Sequence, residues 1–268
     1  MDFGLLGPLL VRDGPTQVPV PARRQRVLLA ALLLSPDRVV SLDALAETLW
    51  DGAPPAGARG ALHSTVQRLR TTLGPAGSGL VHTKAPGYLI EVGEGDLDVR
   101  AFGSLVAQGQ AAAAAGRWDQ AAGLLRQALG LWRGEPLADV PSTLLRTREV
   151  PPLEERRLQA LALRIDADLR LGRDGRLVPE LRQLIAAHPL QEKFHAQLML
   201  GLYRSGQPAD ALSAYQDVRR RLADELGVDP GPELRRLQQA ILAGDPELLR
   251  PPDDQAAGPS GRAARPER

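Results

Sequence analysis

Cysteine is absent from all 268 residues, which removes disulfide frameworks, thiolate nucleophiles and Cys-ligated zinc or iron–sulfur centres in one step. Aromatic residues are sparse, three each of Phe, Trp and Tyr, so the core must be built from aliphatic side chains. Lysine is almost missing: Lys84 and Lys193 stand alone among 33 basic residues, a bias that GC-rich coding also produces and that carries no functional reading. The longest apolar run, Val27 to Leu34, is far short of the roughly 20 residues that span a bilayer. No basic leader is apparent either, since Asp2 follows the initiator and Arg12 is the first cation, so a cytoplasmic chain with no membrane partner is expected. Catalytic motifs are lacking too. Neither lysine completes a G-K-[ST] phosphate loop, and no G-x-G-x-x-G or G-x-S-x-G pattern occurs. The four histidines, His63, His82, His188 and His195, include no H-x-x-x-H pair, and only His195 has a carboxylate nearby, Glu192. Surface or packing roles suit them best. The carboxylate pairs Glu154-Glu155, Asp166/Asp168 and Asp253-Asp254 read as solvated charge. No enzyme, metal site or cofactor is expected.

One further absence is local. Between Asp51 and Glu91 there is no Asp or Glu, yet Arg59, Arg68, Arg70 and Lys84 fall there. The net charge of +1 excludes a polycation, so affinity for nucleic acid would have to come from such a local concentration. Within it, Leu62, Val66, Leu69 and Leu73 form one stripe of helical period, predicting a helix over Gly57 to Gly74 with that stripe inward. Gly60, Ser64, Gln67 and Thr71 then lie opposite, with His63 and Arg70 on one flank and Arg68 on the other. Small and amide residues edged by cations suit a helix in the major groove. On this helix alone the plainer explanation, a solvated surface face, comes first.

Along the chain, residues 1–20 read as short β pieces broken by Pro8, the Asp13-Gly14-Pro15 turn and Pro19, a small antiparallel sheet. Helical periodicity runs from Arg23 to Leu34. A second helix follows with Ser41 as N-cap and Asp43 in its first turn, closed by Asp51-Gly52 and Pro54-Pro55. The acid-free helix is third. After a PAGSG turn, two alternating strands flank Ala85-Pro86-Gly87 as a hairpin. Sheet, three helices and hairpin make a winged helix-turn-helix over residues 1–94. Residues 97–243 are helical throughout, with three similar breaks starting at Ala115, Leu171 and Ser205. Gly172 and Gly206 are spaced at the tetratricopeptide period. Ala121 and Ala211 take the small site of that repeat, where the second unit departs with Leu177; Leu125, Leu181 and Tyr215 take its bulky site, and Pro189 its terminal proline. An insertion around Glu135 to Pro152 interrupts the array. Such helical hairpins stack into partner-binding scaffolds. Residues 244–268, rich in Pro, Gly, Ala and charge, read as a disordered tail or linker. The fold class is mainly α, a winged helix followed by an all-α tetratricopeptide-like domain.

Several stretches in order, RxxLLAxLLL, RVVSxDxLxxxLW, VxRLRxxLG and xPGYxL, then LDVRAFGSLV and the repeats, make the chain resemble the Streptomyces antibiotic regulatory protein (SARP) family from about Phe3 to Leu242. Gly60 and Thr71-Thr72 depart from it, since relatives often carry a polar or basic side chain there. The resemblance implies an OmpR-type winged helix joined to a bacterial transcriptional activation domain. It implies a transcriptional activator binding direct repeats of double-stranded DNA near promoter −35 elements as a head-to-tail homodimer. RNA polymerase with its σ factor would be the protein partner, and an antibiotic or other secondary-metabolite gene cluster the target. Carried over by position, Arg68 reads base edges while Arg59 and Arg70 hold phosphates. Lys84 of the wing, with His82 and Thr83 beside it, meets the minor groove or its backbone. Ser64, Gln67, His63 and Thr71 of the same helix complete the candidate DNA-binding set. Tyr88 reads as core, and Arg23, Arg24 and Arg26 as phosphate contacts or solvated cations. Two other readings stay open: a protein-interaction scaffold in which the repeats do the work, and the N-terminal module of a longer regulator.

Overall fold

The computed structural model describes residues 1–249. Three short strands, β1 (Asp2–Gly4), β2 (Leu10–Asp13) and β3 (Thr16–Gln17), form an antiparallel meander in which Phe3 faces Val11 and Arg12 faces Gln17. Helix α1 (Arg23–Leu33) is buried on nearly every side from Val27 onward, as its unbroken apolar run demands. Helix α2 (Leu42–Leu49) starts where the sequence placed it: Ser41 Oγ accepts the Ala44 N–H at 3.2 Å, and Asp43 occupies the first turn. Helix α3 spans Ala58–Ser78, but Gly74 (φ 68°, ψ −173°) breaks it, so its regular part ends at Leu73. The wing is the hairpin β5 (Val81–Lys84) and β6 (Gly87–Ile90).

One strand goes unannounced by periodicity. Residues Val40–Ser41 form a strand between α1 and α2, here β4 in chain order, and it pairs with the wing in a sheet of order β4-β6-β5. Two residues are too few for an alternating pattern to show. The pairing explains Gly87, because a Cβ there would run into the Val40 carbonyl oxygen.

The remaining helices are α4 (Asp98–Ala114), α5 (Trp118–Leu129), α6 (Thr143–Arg170), α7 (Asp174–Ala187), α8 (Glu192–Arg204), α9 (Pro208–Leu226) and α10 (Pro232–Ala243). The turns at Gly116, Gly172 and Gly206 have φ of 72°, 68° and 77°, a left-handed conformation that glycine adopts without strain. The small and bulky repeat sites, Ala121, Leu177, Ala211, Leu125, Leu181 and Tyr215, are all buried. Pro151 and Pro152 do not end a segment, since α6 runs straight through both. Of the expected tail, Pro246–Leu249 form a 3-10 turn whose Leu248 carbonyl accepts from Arg204 Nε at 2.7 Å. The rest, residues 250–268, lies outside the described residues.

Two compact units divide the chain: Met1–Gly109 with Leu124–Leu161, and Gln110–Gly123 with residues from Ala162 onward. This differs from a division at residues 94 to 97. The cause is the insertion, which in the first unit straps the winged helix: Arg133 N–H donates to the Leu6 carbonyl at 2.7 Å and Leu137 N–H to that of Leu5 at 3.1 Å. Leu137, Val140 and Leu145 belong to the same core as Phe3, Leu28 and Leu49.

Four carboxylates secure this unit. Asp98 accepts the Leu5 N–H at 2.8 Å and the Leu6 N–H at 3.0 Å, and Arg133 lies 3.3 Å from it. Asp139 accepts from Leu9 N–H at 2.7 Å and pairs with Arg26 at 3.2 Å, so Arg26 is held by protein instead of facing phosphate or solvent. Asp51 takes the Ser142 hydroxyl at 2.7 Å and the Leu144 N–H at 3.0 Å, and chiefly the Ser142 bond lowers its pKa. Asp37 takes Arg100 at 2.5 Å and the Val92 N–H at 3.0 Å, and these two bonds lower its pKa.

In the second unit, Asp168 is buried between Arg164 at 3.3 Å and Arg173 at 2.7 Å. Solvated charge was the wrong reading there, because the repeat folds α6 and α7 over it. His195 is 3% exposed, its Nε2 2.9 Å from the Pro189 carbonyl oxygen. Among the described residues no group of side chains could hold a metal ion, and no helix is long and apolar enough to cross a membrane.

Two outcomes follow from this packing. Asp98→Ala strands two buried N–H groups, and urea unfolding is expected to register a loss of about 2–3 kcal/mol; a loss below about 0.5 kcal/mol would refute the strap's dependence on that carboxylate. Burial lowers the His195 pKa, with Arg221 adding to the effect, while Pro189, Asp217 and Glu192 oppose it. The unfolded chain therefore takes up the proton first. The His195 contribution is complete above the ordinary imidazole pKa of about 6.5 and is lost as pH falls through and below it. His195→Gln should flatten the fall in melting temperature over that window, and an unchanged fall would show that other groups govern it.

Candidate nucleic-acid interface

The predicted stripe of α3 is the buried one: Leu62, Val66, Leu69 and Leu73 are at most 2% exposed, with Thr65 alongside. That fixes the outer face. Gly60, His63, Ser64, Gln67, Arg68 and Thr71 are all exposed. Among the described residues, the side chains of Ser64, Gln67 and Arg68 make no hydrogen bond or ion pair, whereas Thr71 Oγ1 donates back to the Gln67 carbonyl at 3.1 Å. Donors on the face are therefore free to meet something outside the chain.

The wing lies along one flank of α3, and Arg70 holds it there. Its Nε and Nη2 donate to the Val81 carbonyl at 3.0 and 2.7 Å, and Nη2 also reaches Thr83 Oγ1 at 3.1 Å. The same guanidinium lies 5.9 Å from the Tyr88 ring centroid. Arg70 is thus spent on the protein, and the expectation that it holds a phosphate gives way to an internal brace. Thr83 is that brace's acceptor. Tyr88 is buried as expected, but its hydroxyl meets His63 Nδ1 at 2.5 Å, with the two rings edge to face at 5.9 Å. His63 is anchored by this contact. Lys84 is exposed at the wing tip, and among the described residues its ammonium has no partner.

The segment is free of carboxylates only in sequence. Arg59 pairs with Asp43 of α2 at 3.0 Å, both ends largely exposed, and His82 Nε2 is 3.3 Å from Glu91. Neither contact has a sequence signal, since folding brings in residues from outside the acid-free stretch. A cavity of about 410 Å³ sits at this corner, between Asp43, Arg59, His63, Thr83 and Pro86. On the opposite flank, Arg68 and Ser64 face the start of α1 across a second cavity lined also by Arg23, Arg24 and Gln25. Arg24 lies over the Trp50 ring at 5.1 Å. The arrangement offers a helix with a clean polar face, a braced basic wing on one side and arginines on the other.

Residues 19–90 match the family model described as transcriptional regulatory protein, C terminal, and residues 97–242 match the bacterial transcriptional activator domain. The chain is 46% identical to the regulatory protein AfsR of Streptomyces coelicolor over 248 residues, which is 92% of this chain but 24% of AfsR. It is 40% identical to the regulatory protein DnrI of Streptomyces peucetius, covering 93% of this chain and 95% of DnrI. A solved structure of Mycobacterium tuberculosis EmbR, in complex with a low affinity phosphopeptide, superposes with a TM-score of 0.88 at 39% identity over 91% of this chain and 65% of that one. The chain thus spans about a quarter of AfsR and nearly all of DnrI.

The Arg70 brace sets a prediction of its own. Arg70→Ala is expected to cost about 1–2 kcal/mol of unfolding free energy, the lower range for charged hydrogen bonds because the guanidinium is part exposed. Arg70→Lys should recover only part, as an ammonium cannot reproduce the forked contact. Full recovery by lysine in denaturant titrations would argue for a simple charge effect.

Proposed function

Since this chain belongs to the Streptomyces antibiotic regulatory protein family of transcriptional regulators, we propose that α3 enters the major groove of duplex DNA and that the wing grips the neighbouring backbone. The observation that carries this reading is the outer face of α3, where Ser64, Gln67 and Arg68 present donors with no partner among the described residues while the apolar stripe is sealed. Arg68 reads a base edge, bidentate to guanine O6 and N7, and Gln67 and Ser64 add hydrogen bonds. Lys84 neutralises a phosphate. Arg59 reaches phosphate by exchanging its exposed pairing with Asp43, which is worth little in water. His82, His63 and Thr83 shape the wing corner.

The chain acts by contact, not by catalysis. It binds direct repeats near promoter −35 elements as a head-to-tail pair, which calls for tandem and not palindromic half-sites. The helical domain carries the contacts to the second copy and to RNA polymerase with its σ factor, in the cytoplasm, at secondary-metabolite genes. Family membership and the exposed face support this.

Binding titrations on a duplex enriched from a random library by the wild-type chain, and on its scrambled counterpart, test the assignment. Arg68→Ala is expected to cost about 1–3 kcal/mol on the selected duplex and much less on the scrambled one, while Lys84→Ala weakens both alike. Equal losses for Arg68→Ala on both duplexes would sink the base-reading role.

A further inference from the structure

The cavity beside α1 goes beyond that assignment. It measures about 510 Å³ and is lined by Arg23, Arg24, Gln25, Ser64 and Arg68, with no carboxylate in its wall. Three arginines line one small space. Arg23 is exposed and, among the described residues, has no ion-pair partner. The acids on its other side, Asp51 and Glu135, line a separate cavity with it. Both are committed elsewhere, Asp51 to Ser142 and Leu144, and Glu135 to Arg146. Arg24 is steadied over Trp50 without losing its charge. Gln25 is buried, and its Oε1 accepts the Thr72 hydroxyl at 3.1 Å. That bond engages the amide oxygen. Among the residues that line the space, three are arginines and none carries a carboxylate.

Resting on the reading of α3 as a groove-bound helix, we propose that this cavity holds a backbone phosphate of the DNA strand flanking α3 on the side away from the wing, with Arg23 and Arg24 as the clamp. The chemistry asks for an anion with several acceptor oxygens, which forked guanidinium groups match. Position selects the source. Ser64 and Arg68 belong both to this wall and to the outer face of α3, so an anion here is continuous with a duplex lying on that face. The clamp also balances the wing: Lys84 holds one strand, Arg23 and Arg24 the other.

The test uses the full chain and the same two duplexes over a range of salt. Arg23→Ala should lower affinity equally on the selected and scrambled duplexes and make the log–log salt slope less negative by about 0.9; Arg23→Ala with Arg24→Gln should change it by about 1.8. Arg23 has no ion-pair partner among the described residues, so the melting curve of the Arg23→Ala variant should match wild type, which keeps the single variant informative if the double variant is less stable. Wild-type binding with an unaltered slope in both variants removes the clamp alone. No salt-dependent duplex binding by wild type removes the proposed function and the clamp together. A melting temperature raised by inorganic phosphate through Arg23, with the DNA slope unchanged, marks a free-anion site and overturns the proposal. A loss confined to the selected duplex also overturns it, because a phosphate contact is blind to sequence.

Discussion

The sealing of one stripe of α3 decides what this protein can present to a partner. Leu62, Val66, Leu69 and Leu73 are excluded from water against α1, α2 and the wing sheet. Each such side chain is worth about 1.5–3 kcal/mol when buried, so the four together rival the roughly 5–15 kcal/mol net stability of a domain. Turning the helix by one residue, about 100°, would lift half the stripe into solvent and push Ser64 or Gln67 into the core. The outer face therefore has a single orientation, set by leucine and valine, and the donors on it are pre-aimed without needing partners of their own. Rigidity of this kind lowers the ordering cost of binding.

Carboxylates do a second job that composition conceals. A net charge near zero looks unpromising for a polyanion ligand, yet Asp37, Asp51, Asp98 and Asp139 are each engaged by N–H groups, a hydroxyl or arginines of the first unit. Their charge is consumed in binding the strap and α4 to the winged helix. The insertion that interrupts the repeat pattern is thereby a structural part of the winged-helix unit, and its leucines complete that unit's core. Its place in the chain, inside residues 97–243, assigns this segment to the helical domain, because sequence order does not record where a loop docks.

How much could be read from the chain divides along the same line. Local features were legible: the Ser41 cap, the inward stripe of α3, the break at Gly74, the hairpin around Ala85-Pro86-Gly87 and the glycine turns of the repeats all arise from interactions within a few residues. Features made by distant residues were not. Strand β4 is too short to show a period, Asp168 is buried by a fold that only the α6–α7 hairpin creates, and Arg70 spends itself on a carbonyl eleven residues away. Arg26 looked like its neighbours Arg23 and Arg24 until Asp139, far along the chain, claimed it.

The same long-range folding gives the surroundings of the outer α3 face an electrostatic polarity that the acid-free sequence does not possess. Asp43 and Glu91 arrive on the wing side, where they pair with Arg59 and face His82. On the α1 side no acid lines the cavity around Arg23 and Arg68. Interactions across a few ångströms dominate at physiological salt, where screening extends over about 8 Å. The unopposed flank should therefore attract a phosphate more strongly per cation than the flank bearing Asp43. Arg59 is held in an ion pair, and Arg70 is spent on the Val81 carbonyl. Two flanks of unequal charge therefore border one fixed helix face, the α1 side lined by arginines without an acid and the wing side by a braced loop.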